Sequence, residues 1–421
     1  MRPGDHIGVI TPEYAAGDVP RRQADTLSTI WAALRLGIVP VMIHPLLTPG
    51  ELAHIERDAS LSGRLFGPDD VAALTAGPAG DLGARPLTRA MHYTSGTTGV
   101  PKGVTADLTP PLAQQWWDDE ITHWGFTDDD VTLVHSPLCH SAPLRFAIGT
   151  LEVGGTVALI GRFEVSSTAR ALVELRPTTA FMVPSQLQAL LDNGAPPSPY
   201  RLLAHAGSAC PDGLKRRTHA WAGADRVWEF YGATEGQFTS CRGTEWEQRP
   251  GTVGRARAGR SLRVDERDQV WCAPPDFARF SYWNDPAKTA GAWGGDPHGE
   301  SFTVGDLGRL DDEGYLFLEG RREDLIITGG VNVYPAEVEN VIAGHPAVSD
   351  VAVFPVEDRR WGHRVACVVV GDVGPEELRE WSRSRLAGYK VPKEWIVVDE
   401  LPRNSMGKVS RTTLAATLGL E

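Results

Sequence analysis

A chain of 421 residues that is 42% hydrophobic and 23% charged is globular and long enough for more than one core, so two domains are expected. Its 41 basic residues face 54 acidic ones for a net charge of −13, with no block of lysine or arginine, which argues against a nucleic-acid surface. Cys139, Cys210, Cys241, Cys272 and Cys367 form no C-x-x-C pair, which excludes a disulfide frame or zinc ribbon and reads as reduced thiols in a cytosolic protein. No metal-ligand cluster shows in the spacing. The N-terminus, Met1-Arg2-Pro3-Gly4-Asp5-His6, lacks the apolar segment of a signal peptide. Residues 31–47 are interrupted by Arg35, Pro40, His44 and Pro45 and are too short to cross a bilayer, so a cytoplasmic location without a membrane span is expected.

Residues 7–10 form a short apolar run, and Ala24, Leu27, Ile30, Trp31 and Leu34 then repeat at a helical period up to Gly37. A second apolar run follows at 38–43. Strand, helix, strand at this spacing predicts a crossover unit and a parallel sheet. The alternation returns at 156–160, 168–175 and 180–183, so the first three quarters read as a large α/β domain. Residues 66–86, rich in Gly, Ala, Pro and Asp, read as an exposed connection. Trp116, Trp117 and Trp124 lie in 114–124, where packing a helix outweighs lining an aromatic site. Asp128-Asp129-Asp130 reads as a solvated turn rather than a metal site.

The most informative stretch is Thr94-Ser95-Gly96-Thr97-Thr98-Gly99-Val100-Pro101-Lys102-Gly103. Three glycines, four hydroxyls and Lys102 make a loop suited to phosphate, because backbone N–H groups approach an anion closely where no Cβ intervenes. The spacing is not that of a Walker loop, and on its own the run also fits a plain flexible loop. It resembles, over ten consecutive positions, the phosphate loop of the adenylate-forming (AMP-binding) enzymes, in their acyl- and aryl-CoA synthetase branch. The resemblance continues in order through Tyr231-Gly232-Ala233-Thr234-Glu235, Val304-Gly305-Asp306, Gly320-Arg321, residues 329–335 and Pro402-Arg403-Asn404-Ser405-Met406-Gly407-Lys408.

That family implies a shortened adenylate-forming fold: a large N-terminal domain, residues 1–321, joined by a hinge at Glu323 to a small mobile α+β domain, residues 322–421. It implies ATP and Mg²⁺ as cofactors and CoA as co-substrate. Thr94, Ser95, Gly96, Thr97, Thr98 and Lys102 would meet phosphate; Gly207, Ser208, Glu229, Phe230, Tyr231 and Gly232 would border the nucleotide, with Tyr231 stacked on adenine. Thr234 would touch the α-phosphate and Glu235 would hold Mg²⁺. Asp306 would take the ribose hydroxyls, although Val304 stands where threonine is usual, and Arg321 would reach ribose and phosphate. His140, His205 and Gln237 are expected in the acid pocket, with Cys241 at its border. Lys408 falls at the family's catalytic lysine.

The chemistry implied is attack of a carboxylate on the α-phosphate of ATP, releasing pyrophosphate, then transfer of the acyl group to CoA. A fatty or aryl acid is the expected substrate, and a homodimer is allowed. Two alternatives stand beside it: activation of a small acid or nitrite with transfer to an amine, and a non-catalytic nucleotide-binding protein. The segment 249–290 reads as polar and irregular, with 259–280 compressed relative to the family, and the N-terminus starts late. The absence of a carrier domain after Glu421 argues against a peptide-synthetase module.

Overall fold

The crossover unit expected at the N-terminus is present: the strand His6–Ile10, the helix Val19–Arg35 and the strand Val39–Ile43, with His6 opposite Val39 and Ile10 opposite Ile43 in parallel register. The helix starts where the Asp18 side chain accepts the Arg21 N–H. It buries Leu27, Ile30 and Leu34, and it stops before Gly37, whose φ of +72° suits glycine. The structure, a computed structural model, describes residues 1–421 except 13–17, 66, 68, 72–80, 95–100, 107, 295–298, 322–323, 329–330, 404–408, 410 and 421. Much of the connection at 66–86 and the hinge residue Glu323 therefore lie outside the described residues.

Two sheets carry the large α/β portion. The first runs, in spatial order, Ser281–Tyr282, Lys102–Thr105, Met91–Thr94, Val39–Ile43, His6–Ile10, Gly63–Leu65. The second runs Arg255–Ala256, Gln237–Arg242, Val227–Gly232, Leu202–His205, Thr179–Met182, Val131–Val134, Thr156–Leu159. The helices Pro110–Trp124 and Ser141–Glu152 lie where the two meet, since one buried cluster unites Ile7 and Met42, Val134, Trp116 and Trp117, and Leu144 and Ile148. Burying such apolar area, at about 25 cal/mol per Å², is what holds the two sheets together.

Two readings of the sequence change here. Asp130 is not in a solvated turn: it is buried, accepts from the Arg201 Nε at 2.7 Å and from the Thr178 hydroxyl at 2.6 Å, and fixes the entry to the strand Val131–Val134. Asp128 and Asp129 are exposed. The stretch 249–290 is not irregular, because the hairpin Ser261–Val264 with Val270–Ala273 packs Val270 and Cys272 against Phe280, Trp293 and Phe302.

The C-terminal portion has its own core, built from Ile326, Val333, Val338, Ile342, Val353 and Val365. Its long strands Val348–Asp358 and Gly362–Gly371 pair antiparallel, Glu394–Val398 adds in parallel, and the helices Pro335–Ala343 and Pro375–Arg383 start on prolines at their first turn. All five cysteines are buried and free. Among the described residues no helix is long and apolar enough to cross a membrane.

Candidate active site

The strands Met91–Thr94 and Lys102–Thr105 are antiparallel, with Thr94 opposite Lys102, so both ends of the stretch expected to hold phosphate are fixed in the first sheet. Ser95, Gly96, Thr97 and Thr98 lie outside the described residues. Gly103 serves packing: a Cβ there would meet the Met91 sulfur at 3.0 Å and the Trp283 Cβ at 3.1 Å.

The strand Val227–Gly232 leads into a turn closed by Ala233 N–H to the Gly236 carbonyl at 2.8 Å. Gly232 is required by that turn, since a Cβ would sit 2.6 Å from the Gly236 carbonyl oxygen. Within the turn, Glu235 accepts a hydrogen bond from the Tyr282 hydroxyl at 2.8 Å, and burial, followed by this carboxylate, raises the Tyr282 pKa. Among the described residues no cationic side chain pairs with Glu235, which leaves its carboxylate fit for a hard cation such as Mg²⁺. Tyr231 donates its hydroxyl to Asp306 at 2.5 Å, and Asp306 stands opposite Arg321 in the Asp306–Leu310 and Leu316–Arg321 pair. Gly207 takes φ +95° just after the strand Leu202–His205, with Ser208 exposed beside it.

The side chains of Glu229 and Phe230 are buried and do not line an open site. The Glu229 carboxylate accepts from Lys215 at 2.7 Å in a buried ion pair, while Phe230 points the other way into Trp124 and Phe181. His205 is a second correction. It stands opposite Glu229 in parallel register, so it shares the sheet face covered by the helix Asp212–Ala222, and burial, then Lys215, pushes its pKa down to about 3. Cys241, opposite Glu229 on the other side, also belongs to that buried face, and its thiol is pushed up to about 12.

A cavity opens on the opposite face. Thr234, Gly236 and Gln237 line it together with Ser141, Leu144, Trp116 and Trp117, and with Arg89, Arg145 and Arg260. Gln237 reaches it because the register slips by one residue between Tyr231 and Gly232, a bulge that turns Gln237 to the face that regular alternation denies it. Its amide donates to Glu120 at 2.6 Å. His140 lies beside the cavity rather than in its wall; its ring is 5.5 Å from that of His44. Trp116 and Trp117 pack the core, as expected, and also form cavity wall. Contrary to the spacing, the fold also brings the ligand atoms of His44, Cys139 and His140 within 4.8 Å of one another, but His44 Nδ1 already accepts the Leu46 N–H at 3.2 Å.

An arginine network backs this wall, and the sequence reading missed it. Glu120 pairs with Arg145 at 3.0 Å and Arg257 at 2.7 Å, and Asp119 pairs with Arg257 and Arg260, each at 2.9 Å. Burial would raise the Glu120 pKa, yet Arg145 and Arg257 outweigh it and hold the carboxyl at about 2. One signal was present: Arg145 interrupts Ala142-Pro143-Leu144 and Phe146-Ala147-Ile148, a helix apolar on all sides, where a charge must find a partner.

The paired strands at Thr94 and Lys102, the Tyr231–Asp306 contact and the cavity beside Thr234 stand in the order expected of an adenylate-forming enzyme, and comparison with known proteins shows that class. Family models describe residues 88–274 as an AMP-binding enzyme and 337–408 as an AMP-binding enzyme C-terminal domain. The chain is 32% identical to the feruloyl-CoA synthase of an Amycolatopsis species, over all of this chain and 90% of that one. The chain belongs to the AMP-binding enzymes, in their acyl- and aryl-CoA ligase branch. Its fold matches the o-succinylbenzoate CoA synthetase of Bacillus subtilis bound to its acyl-adenylate, with TM-score 0.83, 27% identity and 98% and 88% of the two chains covered. It matches ATP-bound MatB of Rhodopseudomonas palustris with TM-score 0.82, 28% identity and 99% and 89% covered.

Proposed function

We infer that this chain joins a carboxylic acid to CoA in two half-reactions, adenylation by ATP with release of pyrophosphate and then transfer of the acyl group to the CoA thiol. The observation that carries it is the shared cavity: Thr234 of the Ala-Thr-Glu turn forms part of the wall of a pocket that tryptophan and arginine side chains also line, so an acid held there faces the residue assigned to the α-phosphate. Tyr231 and Asp306 are assigned to adenine and ribose, Arg321 to ribose and phosphate, and Lys102 to the phosphates. Glu235 would hold Mg²⁺, which would supply positive charge against the phosphates. Thr234 donates to the α-phosphate, and Lys408 bridges the acid's carboxylate and that phosphate, offsetting the repulsion of two anions.

The division at 321/322 with Glu323 as hinge belongs to the same proposal, as do a homodimer and a cytoplasmic setting, the last supported by five free cysteines. Pyrophosphate release from MgATP, measured over fatty, aryl and small acids and nitrite, each with and without CoA and an aryl amine, tests it. CoA-dependent thioester formation is expected. Turnover that needs an amine and forms no thioester would replace the second half-reaction, and nucleotide binding without turnover would end the enzyme reading.

A further inference from the structure

The cations around the cavity outnumber the anions. Arg145, Arg257 and Arg260 are each at least nine-tenths buried, and Arg89 is half-buried beside them with its guanidinium 5.7 Å from the Trp116 ring. Glu120 and Asp119 supply two negative charges against these four positive ones. His123, beside them, stays neutral, since burial and then Arg257 push its pKa down to about 3. Arg89 forms no ion pair among the described residues, although the charge of Glu120 acts on it at longer range; its hydrogen bond is to the Thr105 carbonyl at 3.4 Å. The Nε atoms of Arg145, Arg257 and Arg260 have no acceptor among the described residues. Surplus buried charge of one sign is costly unless an anion meets it.

We propose that the acid activated by this chain is a short dicarboxylate, and that Arg89 and Arg145 hold the carboxylate that does not react. The proposal rests on the reading that this cavity takes the acid. The reacting carboxylate belongs at Thr234, and a bidentate arginine clamp on it would tie up the lone pairs that must attack phosphorus, so the anion these guanidinia meet is a second one. Size agrees with this. The cavity volume of about 50 Å³ is a few times the ~10–15 Å³ that one water requires, which accommodates a short acid.

The test is pyrophosphate release by the full chain with MgATP on matched pairs: succinate against butyrate, glutarate against valerate, phthalate against benzoate, and nitrite as the small single anion. Each dicarboxylate is expected to exceed its partner in kcat/KM by roughly ten- to hundredfold, the range of a charged hydrogen-bonded contact. Arg89→Gln should shrink that ratio through KM for the acid with KM for ATP little moved, and Arg89→Lys should restore part of it. Calorimetric binding of the same acids gives a readout free of turnover. Equal or better use of the monocarboxylates or nitrite, or an Arg89→Gln effect equal on both members of a pair, overturns the proposal and leaves the ligase reading standing. Preferential dicarboxylate binding, lost in Arg89→Gln, with no pyrophosphate released from any acid, would do the reverse.

Discussion

Tyr231 and Asp306, 75 residues apart, meet through a 2.5 Å hydrogen bond from the phenolic hydroxyl to the carboxylate. The bond ties the end of the Val227–Gly232 strand to the start of the Asp306–Leu310 strand, so the ring assigned to adenine and the carboxylate assigned to ribose are set relative to each other before nucleotide arrives. Asp306→Ala is expected to raise KM for ATP roughly ten- to hundredfold, the worth of a charge-assisted hydrogen bond. Tyr231→Phe keeps the ring and loses only the orienting bond, so a rise of about two- to tenfold is expected. ATP titration of pyrophosphate release reads both; a Tyr231→Phe effect as large as that of Asp306→Ala would move the hydroxyl from orienting the carboxylate to contacting nucleotide.

Tyr282 plays the corresponding part for Glu235. Its hydroxyl holds one carboxylate oxygen from the first sheet, while Glu235 itself sits in the turn leaving the second. Tyr282→Phe should therefore raise the Mg²⁺ concentration needed for half-maximal adenylation by about two- to tenfold and leave KM for the acid unmoved. A variant with an unchanged Mg²⁺ requirement would make this hydrogen bond structural only.

The crossover unit was legible because an apolar period of 3.6 between two apolar runs has few other solutions, and the family was legible because each of its motifs is short and contiguous. The cavity proposed for the acid was not. The arginines that line it come from positions 89, 145 and 260, with Arg257 behind them, and only the fold makes them neighbours. His205 and Gln237 show the same limit at finer scale. His205 adjoins the Gly207 turn in sequence, yet strand alternation directs it to the far face, while Gln237 is on the near face through a one-residue bulge that composition does not announce.

Acid should destabilise the fold before it reaches the carboxylate range. Burial holds the folded pKa of His92 at about 4 and those of His123 and His205 at about 3, against 6.5 for the free side chain. The unfolded chain therefore binds these protons first: the stabilisation is complete above pH 6.5 and is lost as pH falls toward 4 and then 3. Between pH 7 and pH 5 each histidine contributes a loss of about 2 kcal/mol. Urea midpoints at the two pH values measure it, and His205→Asn should reduce the pH-dependent part by one histidine's share whatever it does to absolute stability. A midpoint that does not fall by pH 5 would mean that these rings are protonated in the folded protein.

Lys408 lies outside the described residues, so its assignment rests on the Pro402-Arg403-Asn404-Ser405-Met406-Gly407-Lys408 motif and on the chemistry it serves. If it bridges the attacking carboxylate and the α-phosphate, its removal strips stabilisation from charge that gathers only in that transition state. Lys408→Ala should then lower adenylation by about 10²–10³ with no change in melting temperature. The second half-reaction separates this from a general loss of function. The proposed hinge at Glu323 would swing the small portion away before thioester formation and take the lysine out of the site, so the same variant, given preformed acyl-adenylate and CoA, should make thioester at near the wild-type rate. Equal loss in both half-reactions would place Lys408 in an architecture shared by the two steps and remove the reason for a swing.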